Sequence, residues 1–433
     1  MKDEEILTLS QKFDDSWLQR DIQEIVGTEE YEALLGIFPK LQEVMDRGQK
    51  SDSAEFSRTL THVMRMMAIY NQIVEKRFAP PTVPPEDLVR LYDLQEKIAS
   101  KRPLIMPIII WLHDVGKPED KRDHAQASFE LVDRYRLLDG LDLPAVDEKL
   151  IRKVVQYHLV MGTIYTGEST YYYLEPLLND TELYELFHHD HAGEDLLDLL
   201  TFTTVVDICG YPYVRLTRTH LEKYFQIGND LLNVFGEMAQ DRGIIQIKLF
   251  EKAREMTDWR LCCYLRMFAL ITTAPHYTYD FFFRKLMELA RNHAGREMSS
   301  HDWEKFRGES FIRFPRVHFK YGMGFLCRLA MVDLDSRDPI HERTEVNPNL
   351  LRFLTALDQR ILDIEQSGRM VRPESLWEVE FYNYPGFGSD KALLREVLGK
   401  PGEIERLVAE TKVGMNEVKG VNKLDIDFSR LTP

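Results

Sequence analysis

The stretch Trp111-Leu112-His113-Asp114-Val115-Gly116-Lys117 decides how this chain is read. It closes a nearly unbroken apolar run from Leu104 to Leu112. With its flanks that run is longer than a strand, so it reads as a buried helix. An imidazole and a carboxylate delivered together to the rim of a core are costly unless something pairs with them. A metal ion is such a partner, and its remaining ligands are to be sought elsewhere in the chain.

Other candidate ligands recur on apolar helical faces. Val63, Met66, Met67, Tyr70, Ile73 and Val74 mark one face of a helix over 57–76, which carries His62. Asp123-His124-Ala125-Gln126 has capping-box spacing and opens a helix continued by Leu131 and Val132. A helix over 144–160, with Val146, Leu150, Val154 and Val155, ends near His158. A further helix over 194–208 carries Asp207 behind Thr203-Thr204-Val205-Val206, where a carboxylate is rarely left unpaired. Taken alone, His62 reads as a satisfied core histidine. Six ligand-type groups on apolar faces, namely His62, His113, Asp114, His124, His158 and Asp207, are far less easily a coincidence.

Composition narrows the function classes. The 433 residues are enough for two or three structural units, and 44% hydrophobic with 29% charged residues describes an ordinary globular protein. A net charge of −16 argues against a whole-surface binder of nucleic acid or acidic membrane, though not against a local basic pocket. Cys209, Cys262, Cys263 and Cys327 form no CxxC pair and are too sparse for a disulfide framework. The acidic start Met1-Lys2-Asp3-Glu4-Glu5 lacks a signal-peptide pattern, and no apolar run approaches the roughly 18 residues of a membrane span. The expectation is a reduced, soluble, cytoplasmic protein. Strand-like alternation is scarce, and no GxGxxG or GxxxxGKS loop occurs, which disfavours dinucleotide-binding and P-loop folds.

The set His62, His113-Asp114 and Asp207 resembles the H…HD…D pattern of the HD-domain superfamily of metal-dependent phosphohydrolases, over roughly residues 56–240. His113-Asp114-Val115-Gly116-Lys117-Pro118 and the run from Glu194 to Asp207 are similar to the HD module attached to some tRNA nucleotidyltransferases. His124 and His158 are similar to the two extra ligands of the binuclear subgroup. The resemblance implies an all-α fold, with an HD-domain helical core over 56–240, an N-terminal helical cap over 1–55 and a mostly helical accessory region over 241–433.

It also implies one or two divalent transition-metal ions, iron or manganese first, with nickel, cobalt or zinc as alternatives. Asp114 would be shared, with His62, His113 and Asp207 on one ion and His124 and His158 on the other. The implied chemistry is hydrolysis of a nucleotide or other phosphate ester through a metal-bound hydroxide. Lys117 matches the family's lysine, and Arg215 and Arg218 are candidate phosphate contacts. Arg65, three residues after His62, is a weaker one.

Alternatives stay open at this stage. His188, His189 or His191 could replace His158, or could simply form a polar loop before a helix start. The function could be that of a di-iron HD-type oxygenase, or of a regulatory or scaffolding protein without catalysis. The accessory region leaves room for a partner or a homodimer. Its basic segment over 284–320 reads as a solvated surface, and His301-Asp302 reads as a helix N-terminus.

Overall fold

A computed structural model of the chain describes residues 2–21, 24–236, 242–271, 278–332, 340–368, 371–383, 400, 402–417 and 419–431. It divides into two compact units, one comprising residues 1–162 and 180–241, the other residues 163–179 and 242–433. Residues 1–55 are therefore part of the first unit, and the short segment 163–179 belongs to the second.

Among its described residues, the regular elements of the first unit are all helices. Its helices are α1 (Lys2–Ser10), α2 (Glu29–Ile37), α3 (Leu41–Ser51), α4 (Ser53–Val74), α5 (Pro85–Lys101) and α6 (Ile105–Leu112). They are followed by α7 (His124–Arg134), α8 (Ala145–Tyr157), α9 (Val160–Thr166), α10 (Thr181–His188), α11 (Gly193–Gly210) and α12 (Arg218–Phe235), with α9 crossing the boundary.

The apolar run is the central helix α6, and all eight of its residues are buried. Pro107 is tolerated there because its missing N–H lies in the first turn, where no intrahelical acceptor exists. Each large apolar side chain of α6 contributes roughly 1.5–3 kcal/mol by burial, which pins the helix end that carries His113. Around it pack α4, α8 and α11. Helix α4 begins at a true cap, with the Asp52 side chain accepting from the Glu55 N–H. The capping box expected at Asp123 is absent: Asp123 makes no side-chain cap bond, and Gln126 turns outward to Glu130.

The second unit departs from the all-α expectation. It contains helices α13 (Arg242–Glu255), α14 (Thr257–Ile271), α15 (Tyr279–Ala294), α16 (Ser300–Ser310), α17 (Met323–Leu329), α18 (Asn349–Gln366) and α19 (Glu403–Ala409). It also holds a four-stranded sheet of β1 (Val317–Lys320), β2 (Trp377–Tyr382), β3 (Lys412–Asn416) and β4 (Val421–Asp427), in the order β1-β2-β4-β3. β1, β2 and β4 are parallel, and β3 runs antiparallel to β4. The chain as a whole is mainly helical, with this small sheet as the exception.

Alternate strand residues serve two environments. Val317, Phe319, Trp377, Val379, Phe381, Leu424 and Ile426 join a core with Leu286 and Leu289 of α15 and Phe353 and Leu357 of α18. Of the intervening residues, Lys320, Glu378 and Glu380 are charged yet also buried: Lys320 and the half-buried Lys423 pair with Glu380, and the half-buried Lys419 pairs with Glu378.

The basic segment is likewise only partly a solvated surface. Arg284, Arg291, Arg296 and Lys305 are exposed, but Lys285, Arg316 and Lys320 are buried, and Arg313 and Arg316 pair with Glu365. His301-Asp302 does open a helix, α16, through a reciprocal capping box between Ser299 and Asp302. All four cysteines are free thiols. Among the described residues no helix is long and apolar enough to cross a membrane.

Candidate metal centre

Five helices bring the six ligand-type residues together. His62 lies within α4, His113 caps α6 with Asp114 next to it, His124 opens α7, His158 caps α8, and Asp207 lies in the last turns of α11. Their donor atoms form three overlapping groups, each within 4.8 Å: His62, His113 and Asp114; His113, His158 and Asp207; Asp114, His124 and His158. The last group is the carboxylate and histidine set that the resemblance assigned to a second ion. None of His188, His189 and His191 takes part. His188 ends α10 against the Tyr184 ring at 4.3 Å, in the polar connection to α11.

Glycine decides how closely these elements approach. The turn after α6 passes so near α7 that a Cβ on Gly116 would lie 2.3 Å from the Ser128 backbone nitrogen. In the absence of that Cβ, the Gly116 N–H donates to Ser128 Oγ at 2.9 Å, which holds Asp114 beside His124. At the end of α11 a Cβ on Gly210 would lie 2.6 Å from His62 Cε1. Only a residue without a side chain lets α11 bring Asp207 against His62.

The hydrogen bonds orient the imidazoles. His113 Nδ1 meets the Ile110 carbonyl at 2.9 Å, His158 Nδ1 the Val155 carbonyl at 2.8 Å, and His124 Nδ1 the Lys121 carbonyl at 3.3 Å. A carbonyl can only accept, so each Nδ1 carries a proton, and in the neutral ring each Nε2 presents a lone pair to the centre. Those Nε2 atoms lie 3.7, 3.5 and 3.5 Å from Asp114 oxygens for His113, His124 and His158 respectively. A lone pair facing a carboxylate is relieved by a metal ion between them or by a proton on the ring. His113 Nε2, His158 Nε2 and Asp114 Oδ1 are all buried without a hydrogen-bond partner among the described residues. Backbone carbonyls behind ligating imidazoles are the usual outer support of a metal site. The donor set thus fits a metal ion.

The electrostatics favour neutral rings at His113 and His124 and ionised carboxylates at Asp114 and Asp207. Burial pushes the His113 imidazole down to about 4, so it is neutral, as a ligand must be. Burial lowers His124 as well, whereas Asp114 outweighs burial at His158 and raises it. For Asp114, burial opposes ionisation, but His113, Lys117 and His124 outweigh it and hold the carboxyl well below the usual range. Burial is likewise overcome at Asp207, where the 2.9 Å bond to His62 Nε2 brings the pKa to about 2. Both carboxylates are ionised at neutral pH.

Lys117 Nζ donates to Asp114 Oδ2 at 2.6 Å and to Tyr211 Oη at 2.8 Å. Burial disfavours the ammonium, but the attraction of Asp114 prevails and raises its pKa. The Tyr211 ring in turn stacks on His62, with centroids 4.1 Å apart. Sequence reasoning missed Tyr211, whose only signal is its place one helical turn after Asp207.

Beside the centre opens a cleft of about 650 Å³, lined by His62, Lys117, Gly210, Tyr211 and Tyr213 and by the cations Arg20, Arg58 and Arg65. The two arginines singled out after Asp207 do not line it. Arg218 is spent on Asp87 and Glu222 at 3.3 and 2.9 Å, and Arg215 is exposed in the connection to α12. The cause is local: α11 stops at Gly210, and α12 restarts with Thr217 as its cap, which carries both arginines away. The cleft wall carries Arg20, Arg58 and Arg65 in place of the expected Arg215 and Arg218.

No protein-family model matches this chain, and searches of curated proteins and of solved structures find no match either.

Proposed function

We propose that the first unit is an HD-type metal-dependent phosphohydrolase acting on a nucleotide or another phosphate ester. The observation that carries this reading is the buried ring of imidazole lone pairs around Asp114, opening beside Lys117 onto a cation-lined cleft. His62, His113, Asp114 and Asp207 would hold one ion and His124 and His158, with Asp114, a second; iron or manganese suits four imidazoles and two carboxylates better than magnesium does. Bound metal supplies Lewis acidity and activates water for attack on phosphorus.

The chain's own residues do the rest. Lys117 remains charged and faces the cleft, where it meets an anionic phosphate oxygen. Asp114 keeps that ammonium in place, and Tyr211 fixes it from the other side. Tyr211 and Tyr213 offer flat apolar surface beside the cations, suited to the organic part of an ester. A cleft of this size falls within the range of small-molecule sites.

The test is a panel of phosphate esters and nucleotides incubated with protein loaded with manganese or iron. Phosphate release that disappears in Lys117→Met supports the reading. Oxygen uptake by the iron-loaded protein without phosphate release would assign an oxygenase instead, and neither activity would leave a non-catalytic helical protein.

A further inference from the structure

We propose that Arg65 is a specificity-determining residue of the cleft, the contact for a second anionic group on a ligand whose first anionic group meets the metal centre. The inference rests on the metal-dependent reading above. Three observations carry it.

First, the cleft is lined by four cations, Arg20, Arg58, Arg65 and Lys117, against two carboxylates, Asp21 and Glu55, on a chain whose net charge is −16. Local positive charge on an acidic protein is selective for anions. Second, most of those cations are already engaged. Arg58 pairs with Glu55 at 2.5 Å, Lys117 with Asp114 at 2.6 Å, and Arg20 lies over the Trp17 ring at 3.9 Å. Third, Arg65 Nε is buried without a hydrogen-bond partner among the described residues. An unsatisfied guanidinium donor at a cavity wall costs stability unless a ligand completes it. Arg65 stands three residues after His62 on α4, so its guanidinium leaves the same side of the helix as that ligand. Guanidinium presents a planar fork matched to phosphate or carboxylate, which the point charge of lysine does not offer.

Calorimetric titration of the purified, metal-containing protein tests this with two kinds of probe. Methylphosphonate carries one anionic group, and alkylene diphosphonates with one to three methylenes carry two. Wild-type protein is expected to prefer at least one diphosphonate over methylphosphonate. In Arg65→Gln that preference falls about tenfold or more, the loss of one charge-assisted contact, while methylphosphonate affinity is unchanged. Arg65→Lys retains part of the preference, which separates lost contact from a damaged fold.

A wild-type preference in Arg65→Gln, or no preference for any diphosphonate in the wild type, overturns the proposal. Arg65-dependent binding without hydrolysis of any ester would sink the hydrolase reading alone. Hydrolysis with unchanged diphosphonate selectivity in Arg65→Gln would sink the subsite alone.

Discussion

Replacing Gly116 by alanine adds a single methyl group where the turn after α6 meets α7. That Cβ would sit 2.3 Å from the Ser128 nitrogen, 2.5 Å from the Ala127 carbonyl carbon and 2.8 Å from the Ala127 Cβ. Two of these neighbours are backbone, so no rotamer change relieves them. Restoring ordinary contact requires the turn and the helix to part by about 1 Å in an interior packed at crystal-like density. Overpacking of this kind costs about 1–3 kcal/mol.

The displacement also has a direction. It breaks the Gly116 bond to Ser128 and draws His124 away from Asp114, now 3.5 Å distant. The expected outcome is a lower urea midpoint with unchanged slope, and loss of the metal equivalent held by His124 before that held by His62 and Asp207. Urea unfolding followed by circular dichroism and metal counting on the same sample provide the assay. An alanine variant with wild-type midpoint and wild-type metal content would refute the packing argument.

Gly210→Ala forces a methyl group into the His62 ring at 2.6 Å, so metal affinity is expected to drop with little change in helix content, measured by competition with a chromophoric chelator. Arg260 is fully buried and donates to the carbonyls of Gly167, Glu168, Phe314 and Val317, stapling the segment 163–179 into the second unit. Arg260→Met strands those acceptors and is expected to cost about 3 kcal/mol or more in denaturant unfolding; a loss below about 1 kcal/mol would contradict the staple. Burial lifts the Glu168 carboxyl to about 7, above its unfolded value, so its contribution is fully present below about pH 4.5 and is lost as pH rises through 7. Glu168→Gln removes that dependence, since its amide oxygen still accepts from the Tyr321 N–H. Its melting temperature should gain on the wild type progressively from pH 5 to 7.5, and parallel curves would count against the assignment.

Much of the first unit was legible because its ligands lie on strongly periodic helices. The run ending at His113 could only be a buried helix, and the apolar neighbours of His62 and Asp207 announced an inward face. The failures have physical causes. Arg215 and Arg218 are close to Asp207 in sequence, but the helix break between Gly210 and Thr217 redirects them, and such breaks depend on packing. Arg65 carried only a spacing argument, yet helix geometry kept it beside His62. The close approaches at Gly116 and Gly210 involve partners far along the chain and have no local signature.

In the second unit, alternation was present in Trp377-Glu378-Val379-Glu380-Phe381 but was easily passed over, because its strands are short. Its polar positions were in any case not solvent-facing, since Glu378 and Glu380 are buried against lysines. The same pairing hid the burial of Arg316 and Lys320, which composition alone had placed at the surface. The sequence Tyr382-Asn383-Tyr384-Pro385-Gly386-Phe387-Gly388 reads as part of a loop-rich tail, but Tyr382 ends β2, and residues 384–388 lie outside the described residues.

The central claim is that Asp114 and five residues around it form a metal centre, and elemental analysis of purified protein tests it most directly. The wild type is expected to hold roughly one to two transition-metal ions per chain, and Asp114→Ala, checked for intact helix content, close to none. Wild-type protein that takes up no transition metal, or an Asp114→Ala variant that keeps its full complement, would contradict the account.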